Sequence, residues 1–175
     1  VKDSSQVASD LISESITYWE SQTDAWKVAA ARAELAMCYW REGALDNARV
    51  MFTEALKRLT AEGNTRANAL IALAEVERAS SRYNDAMTIL TNNARLFQKI
   101  TNHTTKGHYH NQRAMVLRSL ATAEKRSDYF EQAIKEYQRA DHQFELARNK
   151  VYRGYVKNNV GFLLLKLARF DIASE

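Results

Sequence analysis

An all-α fold, a right-handed superhelical solenoid of antiparallel helix hairpins, is what this 175-residue sequence predicts. Three observations carry the prediction. Five alanines, Ala8, Ala48, Ala86, Ala133 and Ala173, recur at intervals of 40, 38, 47 and 40 residues, and self-similarity at such a period marks a repeat array. Their surroundings recur too. An aromatic residue or leucine usually stands three before the alanine and a bulky apolar residue four after, as in Tyr83, Ala86, Leu90 and in Phe130, Ala133, Tyr137. Finally, there is no proline, and two of the five glycines, Gly43 and Gly63, fall between apolar-periodic runs where a helix stops. A solenoid needs no single central core because each unit packs on its neighbours. Hydrophobic residues make up 46% of the chain, which supplies that burial and argues against disorder.

Apolar residues recurring near every 3.6 positions place the helices in order. A first helix over 3–21 follows Asp3, Ser4 and Ser5 and carries Val7, Ala8, Leu11, Ile12, Ile16 and Trp19 on one stripe. Asp24 opens a run to about residue 42 with Val28, Ala31, Leu35 and Tyr39 inward, and 45–61 packs through Ala48, Phe52, Ala55, Leu56 and Leu59. Asn64 and Thr65 introduce 65–80 with Ala67, Leu70, Leu73 and Ala74; 83–101 bears Tyr83, Ala86, Leu90, Phe97 and Ile100. Next come 107–126 with Ala114, Leu117, Leu120 and Ala121, and 128–147 with Phe130, Ala133, Tyr137, Ala140 and Phe144. The run 150–168 holds Val156, Val160, Leu163, Leu164 and Leu167, and a last helix is entered at Phe170. Turns this short make consecutive helices antiparallel neighbours. Alanine recurs because two helices approaching within about 8–10 Å leave room for only a small side chain at the crossing. Twelve residues before the last four markers stand Ala36, Ala74, Ala121 and Gly161, all small and each preceded by Leu35, Leu73, Leu120 or Val160.

This pattern resembles the tetratricopeptide repeat (TPR): an apolar-small pair, an aromatic three later, then Ala, an aromatic and Ala in the second helix. Leu35, Ala36, Tyr39, Ala48, Phe52 and Ala55 match throughout, and Val160, Gly161, Leu164, Phe170 and Ala173 match in the last unit. Glu77 and Glu124 stand where an aromatic is expected, and no proline closes a repeat. Spacings above the usual 34 residues resemble the roughly 40-residue variety of kinesin light chains and bacterial signalling proteins. The resemblance divides one array over 1–175 into the second helix of a partial repeat (3–22), three repeats (24–62, 64–102 and 106–148) and a repeat broken off over 150–175. It implies a chain cut inside a repeat, with further repeats in a parent protein and self-association through the bare C-terminal end. The opening Val1-Lys2-Asp3-Ser4-Ser5, which is no signal peptide, likewise suggests a piece of a longer, cytoplasmic protein.

A family groove lined by first helices implies Ala33, Met37, Trp40 and Arg41, then Asn68, Ile71, Glu75 and Arg78, as ligand-facing. Met115, Arg118, Thr122 and Lys125 follow, then Tyr155, Asn158, Phe162 and Lys166. Arg41, Arg78, Arg118, Lys125 and Lys166 against one Glu75 make this stripe more basic than the chain, whose net charge is +4. With Trp40, Tyr155 and Phe162 interleaved it suits an extended acidic or amphipathic peptide, whose backbone Asn68 and Asn158 could bond. The alternative is that these charges merely solvate an open face. A co-chaperone carboxylate clamp would need Lys and Asn where Ala33 and Met37 stand.

The implied function is therefore a non-enzymatic protein–protein interaction scaffold within a larger regulatory protein, with nucleic-acid binding by a basic helical solenoid as the alternative. A pI near 9.2 favours acidic partners only mildly, without the dense Lys/Arg runs of a nucleic-acid arm. No run of about 18 apolar residues could span a membrane. No phosphate loop, hydrolase or paired-cysteine motif is present, and no cofactor is expected. Glu75, Glu77, Glu124 and Glu131 read as members of solvated faces, and Trp19 and Trp26 as core or end-cap aromatics. Cys38, the one cysteine, reads as a small buried hydrophobe. The segment added where one interval exceeds 40 includes His103, Lys106, Gly107, His108, Tyr109 and His110. They read as a solvated or hydrogen-bonded hairpin tip, with a partner contact or a metal site as alternatives. Positions i and i+2 on a helix diverge by about 200°, which opposes a metal between His108 and His110.

Overall fold

The computed structural model describes residues 4–61 and 63–172, and among them the regular structure is helical throughout. The helices are α1 (Ser4–Ser21), α2 (Ala25–Arg41), α3 (Leu45–Arg58), α4 (Asn64–Ala79), α5 (Tyr83–Asn92), α6 (Ala94–Lys99), α7 (His103–Glu124), α8 (Ser127–Leu146) and α9 (Lys150–Ile172). They fall into two compact units, Val1–Ser81 and Arg82–Glu175.

In the first unit α1 packs on α2, α2 on α3, and α4 on both α3 and α2. Ala36 and Ala48 are fully buried, as small residues at a close helix crossing must be. Phe52, Ala55 and Leu59 complete the apolar face of α3. The joint between α3 and α4 is ionic: Arg49 Nε lies 2.8 Å from Glu77 Oε1, and the Glu77 side chain is 6% exposed. Glu77 thus corrects its expected place on a solvated face. It stands at an inward position, and Arg49, beside the marker Ala48, supplies the charge that permits burial. Arg66 of α4 donates to the Leu56 and Leu59 carbonyls and so closes the end of α3. A second pair, Arg32 to Glu20 at 2.8 Å, ties α2 to α1. Val7 and Leu11 are exposed, not inward, and Trp26 in the first turn of α2 is 47% exposed instead of packing as a core aromatic.

In the second unit α7 packs on α8, α8 on α9 and α5 on α7. Ala114, Leu117, Ala121, Phe130, Ala133, Tyr137, Ala140, Phe144, Val156 and Leu163 form its core. Arg153 joins α9 to α8 through Asp141 at 2.9 Å and Glu145 at 2.8 Å. The expected helix over 83–101 is broken at Asn93, whose side-chain amide donates to the Ile89 carbonyl at 2.8 Å. Such a local bond competes with the helical ladder.

Two further expectations are corrected here. The histidine-bearing segment is no hairpin tip: α7 begins at His103, capped by Asn102 accepting from the Thr105 amide at 2.9 Å. Thr105, Gly107 and Tyr109 are buried in its first two turns. A Cβ on Gly107 would stand 2.5 Å from Phe144 Cε1, so glycine is what lets α7 and α8 meet. No second helix is entered at Phe170, because α9 runs unbroken to Ile172. No glycine or proline interrupts Leu164–Ile172, and nothing there stops the helix. Ala173 lies outside the described residues.

Four turns share one geometry. Thr23, Gly43, Lys125 and Arg148 take positive φ of 56°, 80°, 54° and 54°. The amide of the following residue reaches back five positions, as from Asp24 to Trp19, Ala44 to Tyr39, Arg126 to Ala121 and Asn149 to Phe144. This is the Schellman ending of a helix, and three of the four lack the glycine that usually supplies it.

Candidate functional site

The second unit contains a cleft of about 450 Å³. Helix α7 contributes Arg118, Ser119, Thr122 and Ala123, positions that share one helical face. Helix α9 contributes Phe162 and Lys166, four residues apart, while Tyr83 opens α5 and Phe130 sits in the first turn of α8. Phe130 is 4% exposed and forms part of the wall, whereas Phe162 is 48% exposed and stands open to solvent. Lys166 Nζ lies 5.6 Å from the Phe162 ring centroid, within cation–π reach. The Ser119 and Thr122 hydroxyls donate to the Met115 and Arg118 carbonyls, which leaves their lone pairs to accept. None of the lining residues is acidic. The cleft therefore offers two cations beside aromatic rings, a setting for a carboxylate next to an apolar group.

Of the expected groove residues, Arg118, Thr122, Phe162 and Lys166 come together here. Lys125 does not: it is the left-handed cap of α7, with φ 54°. Tyr155 and Asn158 are exposed on α9 outside the cleft lining. In the first unit Trp40 is half-buried, Arg41 is exposed in the last turn of α2 and Asn68 is exposed on α4. Arg78 is held by both oxygens of Glu75 at 2.6 and 2.7 Å, so its charge is matched within its own helix. Tyr83, Ser119 and Phe130 were not among the expected groove residues. Tyr83 and Phe130 carried a signal as the openers of second helices, three before Ala86 and Ala133.

The histidines reach separate partners. His103 Nδ1 is 2.9 Å from Gln143 Oε1, and His110 Nδ1 is 2.7 Å from Glu136 Oε2. His108 sits edge-on to Phe144 and Tyr152, with centroids 5.2 and 4.5 Å away. Among the described residues no three His, Cys, Asp or Glu side chains are grouped to hold a metal. Burial pushes the His108 imidazole below its ordinary pKa by disfavouring the charged form. Burial alone would raise Glu136, but the hydrogen bond to His110 and the charges of Arg113, His110 and Arg139 outweigh it and hold the carboxyl below its ordinary value. Glu136 is the centre of that network, with Arg139 at 2.7 Å and Arg113 at 3.5 Å.

No family model matches the sequence, and no curated protein matches it. Among solved structures, that of BtubC (BKLC) from P. vanneervenii aligns with a TM-score of 0.71 and 17% identity, covering 94% of this chain and 67% of that one. The likeness shows the fold: the chain is an all-α, TPR-like helical-repeat protein, as the alanine period predicts. Among the described residues no helix is long and apolar enough to cross a membrane.

Proposed function

We propose that the chain is a non-enzymatic protein-interaction scaffold whose second unit takes an acidic side chain and an apolar neighbour from an extended partner segment. The observation that carries this reading is the cleft itself, where Arg118 and Lys166 stand beside Phe162 and Tyr83 without an acidic residue among the lining. Aromatic and arginine anchors in a pocket contribute most of the energy at protein interfaces, and charge complementarity adds rate and selectivity. The TPR-like fold supports the same reading, since repeat arrays present extended binding surfaces. The Glu75–Arg78 pair moves the expected basic stripe of the first unit out of the proposal. A cytoplasmic location belongs to the same reading.

Fluorescence anisotropy of labelled extended peptides that alternate Asp or Glu with Leu or Phe tests it. Arg118→Glu and Lys166→Glu are each expected to weaken binding about tenfold or more, the order of a lost close charge pair. Peptides with Lys in place of the acids are expected not to bind. Unchanged affinity in both variants removes the cleft as the site. Tight, steeply salt-dependent binding of random oligonucleotides instead would favour a nucleic-acid partner.

A further inference from the structure

Two faces at the terminal helices are left uncovered, and they match each other. On α9, Lys150, Gly154, Lys157, Gly161, Leu164 and Ala168 are all exposed and alternate at intervals of four and three residues. That spacing defines one stripe of a helix, the spacing by which helices pack side by side. No atom lies within 4 Å of where a Cβ on Gly154 or Gly161 would stand. The small residues Gly154, Gly161 and Ala168 thus alternate with Lys150, Lys157 and Leu164, the last 53% exposed, and leave a notched trough along the stripe.

On α1, Val7, Leu11, Glu14 and Tyr18 follow the same alternation, and the three apolar ones are 42%, 60% and 55% exposed. They form a ridge of bulky side chains around one acid. The charges are opposite as well. Helix α1 carries Asp10, Glu14 and Glu20 and no lysine or arginine, whereas α9 carries five basic residues against Asp171. Among the described residues Glu14, Lys150 and Lys157 have no ionic partner.

We propose that α1 of one copy docks on α9 of a second copy of this chain. Glu14 faces Lys157, and Leu11 and Tyr18 on either side of it lie over Gly154 and Gly161. Both charges sit near the middle of their stripes, so they meet whichever way the helices run. The occupant is a second copy because the chain itself supplies both the ridge and the trough, with matched charge. Such a contact is heterologous, since one copy keeps its α9 face unused and the other its α1 face, and it propagates unless the rotation closes a ring.

Sedimentation velocity of the whole chain across concentration and salt is the test. Association above the 20.0 kDa of one chain is expected, weakening as salt rises. Glu14→Lys alone and Lys157→Glu alone are each expected to lower the association constant about tenfold or more. An equimolar mixture of the two variants restores association, because each contact between unlike variants again joins opposite charges. Circular dichroism is expected to show unchanged helicity, as both side chains are exposed. A single 20.0 kDa species at every concentration overturns the proposal. So does either variant associating like the original, or a mixture that fails to recover. Loss with Lys157→Glu but not with Glu14→Lys means that α9 meets α9, which overturns it too.

Discussion

A methyl group on Gly107 has no room beside the Phe144 ring, whereas one on Gly154 meets open space. Gly107→Ala is therefore expected to destabilise by about 1–3 kcal/mol, the cost of overpacking, despite alanine's better helix propensity. Gly154→Ala is expected to stabilise by up to about 1 kcal/mol. Urea unfolding at concentrations too low for association checks both. Glu77 is the buried member of its ion pair with Arg49, so Arg49→Ala, which removes that cation, is expected to cost on the order of 3 kcal/mol in the same measurement. His108 gives the chain an acid sensitivity. Its folded pKa lies below the unfolded value of 6.5, so the unfolded chain binds the proton more readily and stability falls as pH drops below 6.5. Glu136, held below 4.5, contributes stability above 4.5 that is lost as pH falls further. The urea midpoint is expected to decline from about pH 7 to about pH 5, and less steeply in His108→Gln.

The helices owe their ends to backbone geometry more than to residue type. Lys125 and Arg148 take a left-handed conformation that costs a non-glycine residue about 1–2 kcal/mol. Lys125→Gly and Arg148→Gly are each expected to raise stability by up to about 1 kcal/mol, offset in part by glycine's freedom when unfolded. Thermal melts of the two variants check this. The same geometry explains what the sequence made legible and what it hid. Repeat spacing located Ala36, Ala48, Ala121 and Ala133, all fully buried, because a close crossing admits only a small residue. Gly161, expected at another crossing, is exposed. Boundaries were read from glycine, so the start of α7 at His103 was missed: Gly107 looked like an entry point and is a contact instead. The break at Asn93 rests on one side-chain bond to Ile89, which no periodicity records. At α9 the repeat pattern suggested a turn, but without a breaker the helix simply continues.

Across the whole molecule, the cleft was partly legible. Arg118, Phe162 and Lys166 followed from the repeat register, because groove positions depend only on helix phase. Arg78 and Lys125 failed as groove cations because pairing with Glu75 and capping of α7 are decided by neighbours, not by phase. The burial of Glu77 and Glu136 went unread for the same reason, as it depends on Arg49 and Arg113, both distant in sequence. Such arginines mark something the alanines do not. The hairpins Ala36–Ala48 and Ala121–Ala133 are closed by the same small residues, so one hairpin could in principle replace another. The joints differ: α1 meets α2 through Glu20 and Arg32, α3 meets α4 through Arg49 and Glu77, and α8 meets α9 through Asp141, Glu145 and Arg153. A shuffled chain would bring an unmatched Glu77 against a neighbour without Arg49. The serial order of the units is written in these acid–base addresses, and a permuted array of the same hairpins would be a less stable protein.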